Sequence, residues 1–136
     1  MRVMIDTNVI ISAMLKEGSL PDIILNEVCI NNDLILCSYI INECYDVAKR
    51  RFPAKIQVLE NLFANLHYEL AAVPENSQVI MRDIKDQPIL NTAIEHRVDV
   101  LITGDQHFLE LTIDFPRICN PSEYKRLYID NETLQN

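Results

Sequence analysis

Asp6, Glu43, Asp86 and Asp105 are the residues whose types and positions point to chemistry. Asp6 ends a short apolar run, Val3-Met4-Ile5, and is followed by Thr7, Asn8 and the apolar stretch Val9–Leu15. Asp105 follows a second such run, Val100-Leu101-Ile102-Thr103, across Gly104. Glu43 stands one turn into a helical pattern that follows Leu34–Cys37, and Asp86 precedes the helical pattern that opens with Gln87-Pro88. A single carboxylate where a strand hands over to a helix reads as a helix cap. Four such carboxylates with no basic partner within their motifs read differently. Brought to one rim they repel, and a bound cation is what makes the arrangement favourable. Oxygen donors without paired Cys or His favour Mg²⁺ or Mn²⁺, ions that act as Lewis acids on phosphates and generate hydroxide from bound water.

The elements that must position these acids follow from hydrophobic pattern. Val3–Ile5, Leu34–Cys37, Val100–Thr103 and Arg117–Cys119 read as short buried strands, and Leu70–Val73 as a weaker one. Helices are expected after Asp6, over Leu20–Ile30 with Ser19 as N-cap, over Tyr39–Arg51 with Ser38 as cap, and from Pro53 onward. In the last, Ile56, Leu59, Phe63 and Leu66 recur at three and four. A further helix is expected over Gln87–Arg97, with Asp86 as its N-cap. Residues 74–78 read as loop, and the stretch Val79–Asp86 leads into that helix. Asn120-Pro121-Ser122-Glu123 has the form of a capping box and opens a terminal helix. Residues 130–136 are expected to fray. Strands and helices in alternation imply an α/β chain with a mostly parallel sheet between helices, and the right-handed crossover rule puts the strand C-termini on one edge.

At 136 residues, 49% of them hydrophobic, the chain is read as one globular domain. The net charge is −8, and it is uneven: residues 1–55 carry six basic and seven acidic side chains, residues 56–136 six and thirteen. An acidic chain is a poor generic binder of nucleic acid, so action on nucleic acid requires metal ions or a local basic patch. Lys49, Arg50, Arg51 and Lys55 form the one basic run and are the candidates for holding RNA phosphates beside Glu43. No stretch approaches the roughly 20 apolar residues of a membrane span. There is no secretory signal pattern, and Cys29, Cys37, Cys44 and Cys119 lack C-x-x-C spacing. Four reduced thiols and a cytoplasmic location are expected.

The order of these motifs resembles the PIN-domain nucleases. The likeness runs from Met1–Ala13 through Ser38 and Asn42-Glu43 to Lys85–Ala93 and Leu101–Asp105. It is closest to family members described as toxin components of toxin–antitoxin systems, the VapC-like ribonucleases. The resemblance implies a five-stranded parallel sheet between helices and four family acids at Asp6, Glu43, Asp86 and Asp105. It implies supporting roles for Asn8, Ser12 and Thr103, and metal-dependent hydrolysis of RNA with Mg²⁺ or Mn²⁺. A homodimer is a further implication. Two departures stand out: His107 occupies a position where many relatives carry another acid, and Asp83 lies close enough to Asp86 to share its role. The acidic rim also predicts a partner, a cognate antitoxin that inserts a basic segment.

Two other readings compete with a ribonuclease. One is a non-catalytic binding or assembly module that keeps the fold. The other is a different Mg²⁺-dependent phosphohydrolase, which needs an Asp-x-Asp pair or a strand-end Lys, and Asp6-Thr7-Asn8 supplies neither cleanly.

Overall fold

A computed structural model of the chain describes residues 1–75, 81 and 83–131. The expected loop over 76–78, the stretch 79–82 apart from Met81, and the tail 132–136 lie outside the described residues. The central sheet has five strands: β1 (Arg2–Ile5), β2 (Asp33–Cys37), β3 (Glu69–Ala71), β4 (Val100–Ile102) and β5 (Arg117–Cys119), in the order β3-β2-β1-β4-β5. All four pairings are parallel, with Val3 opposite both Leu34 and Val100. β1 is the middle strand. The chain leaves it first toward β2 and β3, then returns to the other side for β4 and β5. The sheet order therefore reverses between β1 and β4, and outside the strand C-termini at such a reversal a crevice opens.

Strands buried on both faces need apolar side chains on both, and β1 supplies them: Val3, Met4 and Ile5 are each 0% exposed. Full burial of each contributes about 1.5–3 kcal/mol. Among the described residues the helices include seven α-helices, α1 (Thr7–Leu15), α2 (Leu20–Asn31), α3 (Ser38–Arg51), α4 (Ile56–Asn65), α5 (Gln87–Glu95), α6 (Gln106–Leu109) and α7 (Pro121–Tyr124), the last continued by a π-helical segment, Lys125–Asp130. α1 packs on α2 and α3, α3 on α4 and α5, and α2 on α7. Tyr124, fully buried at the end of α7, locks the last contact: its hydroxyl donates to Glu27 at 3.0 Å and accepts from Asn32 Nδ2 at 3.2 Å.

Element ends follow local chemistry, with corrections to the expected boundaries. Ser19 caps α2 through Asp22 N–H, and the Asn120/Glu123 capping box at α7 is complete. Ser38 is the first residue of α3, not its cap; Cys37 holds the cap position without a side-chain bond. Pro53–Lys55 forms a separate 3₁₀ turn ahead of α4, and β3 begins at Glu69, one residue before the expected Leu70. α5 stops at Glu95 because Arg97 adopts φ 53° and Val98 N–H reaches back to the Ala93 carbonyl. All four cysteines are free thiols, and no helix among the described residues is long and apolar enough to cross a membrane.

Candidate active site

Asp6 leaves β1 in extended conformation and starts α1, with one carboxylate oxygen accepting from Thr7 N–H at 2.7 Å. Its backbone N–H continues the ladder to the Ile102 carbonyl of β4. The second oxygen accepts from Thr103 Oγ1, also at 2.7 Å. Asp6 is 4% exposed. Burial pushes its carboxyl up from an ordinary 3.8 to about 6, against the opposing effect of those two hydrogen bonds, with Glu43 and Asp105 adding like-charge repulsion.

Thr103, wholly buried at the end of β4, ties two acids together. Its hydroxyl donates to Asp6 and accepts from Asp105 N–H at 3.0 Å. Asp105 in turn caps α6, accepting from His107 N–H at 2.9 Å. Asn8 Oδ1 accepts from Gly104 N–H at 3.4 Å, so the residue after Thr103 is held to the first turn of α1. A Cβ on Gly104 would lie 3.6 Å from Asn8 Nδ2, an ordinary contact, so the close approach does not demand glycine.

Asp86 differs from its expected role. It holds the cap position of α5, but its side chain makes no cap hydrogen bond. One of its oxygens, Oδ2, is buried and has no hydrogen-bond partner among the described residues. Buried polar atoms without a partner are rare and call for a specific cause. Burial first, then the negative charges of Asp105, Asp6 and Asp83, push its carboxyl from 3.8 to about 7. Asp83 caps the short 3₁₀ turn Ile84–Asp86 through Lys85 N–H. His107 Nδ1 faces Asp83, Asp86 and Asp105 at 3.9, 3.8 and 3.8 Å. These distances exceed hydrogen-bond length, and Nδ1 too is buried without a hydrogen-bond partner among the described residues.

Glu43 projects from α3, and with Asp6, Asp86 and Asp105 it lines one cleft of about 500 Å³. Asn8 and Ser12 from α1 line it too. The opposite character comes from Arg50, Arg51 and Lys85, with Ile11, Leu15, Val47 and Phe52 as an apolar wall. Basic residues thus share the cleft with the acids. Arg50 and Arg51 come from the basic run expected beside Glu43 and reach the cleft two helical turns beyond it. Lys49 and Lys55 do not line the cleft, which narrows the basic run to its middle two members. Sequence reasoning missed Lys85 and Phe52 as cleft residues. Lys85 is adjacent to Asp86, but no spacing rule marks it. Arg51 lies over the Phe52 ring at 5.5 Å from its centroid, joining the cationic and apolar parts of the wall.

The donor set suits a hard divalent ion: four carboxylates on one cleft, one bearing a buried unpaired oxygen. Among the described residues, Asp83, Asp86 and His107 place their donor atoms within 4.8 Å of one another.

Comparison with known proteins agrees with this architecture. Among solved structures, VapBC2 from Rickettsia felis, bound to a DNA fragment from its promoter, superposes with a TM-score of 0.66 at 20% identity, over 88% of this chain and 98% of that one. VapBC-1 from nontypeable Haemophilus influenzae superposes with a TM-score of 0.57 at 19% identity, over 90% and 99%. At these identities the likeness is one of fold. No curated protein matches the sequence. The sequence model of the PIN domain matches residues 2–107, a span that contains all four acids. The chain belongs to the PIN-domain family.

Proposed function

We infer that the protein is a divalent-metal-dependent endoribonuclease, the toxin component of a toxin–antitoxin pair, acting with Mg²⁺ or Mn²⁺. One observation carries the reading: Asp6, Glu43, Asp86 and Asp105 line a single cleft at the sheet reversal, and Asp86 keeps an oxygen buried and unpaired there. Membership of the PIN-domain family and the likeness in fold to two VapBC complexes support it.

The four acids would hold the ion. When bound, such an ion supplies Lewis acidity toward a phosphodiester and a source of hydroxide at neutral pH. Thr103 fixes the carboxylate of Asp6 and the backbone of Asp105 with one hydroxyl, so neither acid must reorganise as charge develops. Arg50, Arg51 and Lys85 stand where the flanking phosphates of a strand would lie along the cleft, offsetting the overall negative charge that otherwise repels RNA. A cognate antitoxin would occupy the same cleft with a basic segment that pairs with the acids and displaces the ion.

The test is cleavage of a mixed RNA pool by purified protein with Mg²⁺, with Mn²⁺ and with excess chelator, the products mapped by end sequencing. Cleavage confined to the metal arms, and lost in Asp105→Asn, is expected. Undiminished cleavage in chelator overturns the metal assignment. No cleavage with either ion by a folded protein overturns the enzyme in favour of a binding module.

A further inference from the structure

We propose that His107 makes one side of the cleft a mixed nitrogen–oxygen site, with Asp83 and Asp86, that selects a divalent first-row transition ion over Mg²⁺. The proposal rests on the metal-dependent reading above and assigns the kind of ion.

Oxygen donors alone were expected of this rim. The structure adds a nitrogen. His107 sits in the first turn of α6, and the bond from its N–H to Asp105 Oδ1 at 2.9 Å fixes where its backbone lies. From there Nδ1 points at three carboxylates at 3.8–3.9 Å. That spacing is too long for an N–H···O bond. It fits donors that share an ion: two atoms each about 2.1 Å from one metal can stand up to about 4.2 Å apart.

A second observation points the same way. Asp86 is 8% exposed, and its Oδ2, the oxygen facing His107, has no hydrogen-bond partner among the described residues. Two buried polar atoms, a ring nitrogen and a carboxylate oxygen, therefore face each other with neither bonded. A proton shared between them calls for a shorter distance. A cation between them satisfies both at the distance seen. Asp83, on the part-exposed turn before α5, brings a third donor from the open side and can close by side-chain rotation.

Ion preference follows from donor type. Carboxylates alone suit Mg²⁺, which dehydrates reluctantly and takes oxygen. An imidazole donor raises affinity along the first-row series and adds little for Mg²⁺. An imidazole beside the carboxylates thus changes which ion the cleft retains.

Chelator-stripped full-length protein is titrated calorimetrically with Co²⁺ and with Mg²⁺, and visible absorption of the Co²⁺ form is recorded. Wild type, His107→Ala and His107→Asp are compared, with apo melting curves to verify folding. The ratio of Co²⁺ to Mg²⁺ affinity should fall about tenfold or more in both variants, and the Co²⁺ absorption band should shift as nitrogen is lost. His107→Asp restores an oxygen donor, so it should bind Mg²⁺ at least as well as wild type. An unchanged ratio and band in both variants overturns the proposal while leaving metal-dependent cleavage standing. Wild type that binds neither ion overturns both.

Discussion

Replacing Asp6 with Asn should make the metal-free protein more stable while abolishing RNA cleavage. The magnitude follows from burial. In the folded chain the Asp6 carboxyl titrates at about 6 against an ordinary 3.8, with burial the largest cause. At 1.36 kcal/mol per pH unit that gap corresponds to about 3 kcal/mol, and at 4% exposure solvent screens little of it. The sign is set by which state holds the proton. Between pH 4 and 6 the folded chain binds more protons than the unfolded one, so stability falls as pH rises through that window. The full cost of the buried charge is present at pH 8 and absent near pH 3.5. An amide avoids it. The introduced side chain keeps an oxygen for Thr7 N–H and can turn its NH₂ toward Thr103 Oγ1, but the buried Thr103 hydroxyl then loses its acceptor, so the gain stays below the full cost of the charge. In chelator at pH 8 Asp6→Asn should therefore gain up to about 3 kcal/mol, a rise in Tm of about 10 °C for a chain of this size. At pH 4.5, where the folded carboxyl is protonated and the unfolded one is mostly ionised, the gain should shrink to about 1 kcal/mol. In Mg²⁺ at a hundredfold excess over Kd the wild type gains about 2.7 kcal/mol and the variant far less. Melting curves of both proteins at pH 4.5 and 8, with chelator and with Mg²⁺, read all of this. If the variant is less stable in chelator by about 1 kcal/mol at both pH values, Asp6 serves as a helix cap and the reasoning fails.

Three further outcomes are expected. Thr103→Val should leave Asp6 Oδ2 without a donor, lowering stability by about 1–3 kcal/mol at pH 8 and less at pH 4.5, and should reduce cleavage more than substrate binding; equal loss of kcat and gain of KM speaks against a positioning role. Tyr124→Phe should cost about 1 kcal/mol, seen as a lower urea midpoint at constant slope, because it strips partners from Glu27 and Asn32 in a part-buried contact. Arg50→Ala with Arg51→Ala should weaken binding of single-stranded RNA to an Asp105→Asn background and reduce the salt slope by about 1.4, whereas Lys49→Ala with Lys55→Ala should change the slope less.

Strands β1, β4 and β5 were legible because each is a brief apolar or β-branched run bounded by turn residues, and their parallel arrangement followed from the helices between them. β3 was legible only to within two residues, starting one and ending two residues before the expected Leu70–Val73, since Leu70 is 59% exposed on an edge strand and leaves no buried pattern. Asp6 and Asp105 could be placed at the rim because strand ends are visible in sequence. The side-chain state of Asp86 could not, since a cap position and a cap hydrogen bond look identical until the carboxylate is seen turned away. Nor could the convergence of His107 on Asp83 and Asp86, which depends on the first turn of α6 meeting the turn before α5. Lys85 and Phe52 were hidden for a similar reason: their place in the cleft depends on how the turn before α5 and the end of α3 are set around it. Pattern along one element was readable, whereas contacts between elements distant in sequence required the fold.

The pairing of β1 with β4 has a consequence for how the protein comes into being. Met4 and Leu101 are register partners, and Thr103 Oγ1 reaches across the same seam to Asp6. During synthesis β1 emerges before the other four strands and can find β2 soon after, but its other neighbour is nearly a hundred residues away. Contacts of such separation form late, after the long intervening segment has been ordered. Asp6 therefore waits, without Thr103 and Asp105 beside it, until the strand carrying them has left the ribosome. Premature termination before Val100 yields a fragment that cannot assemble the cleft.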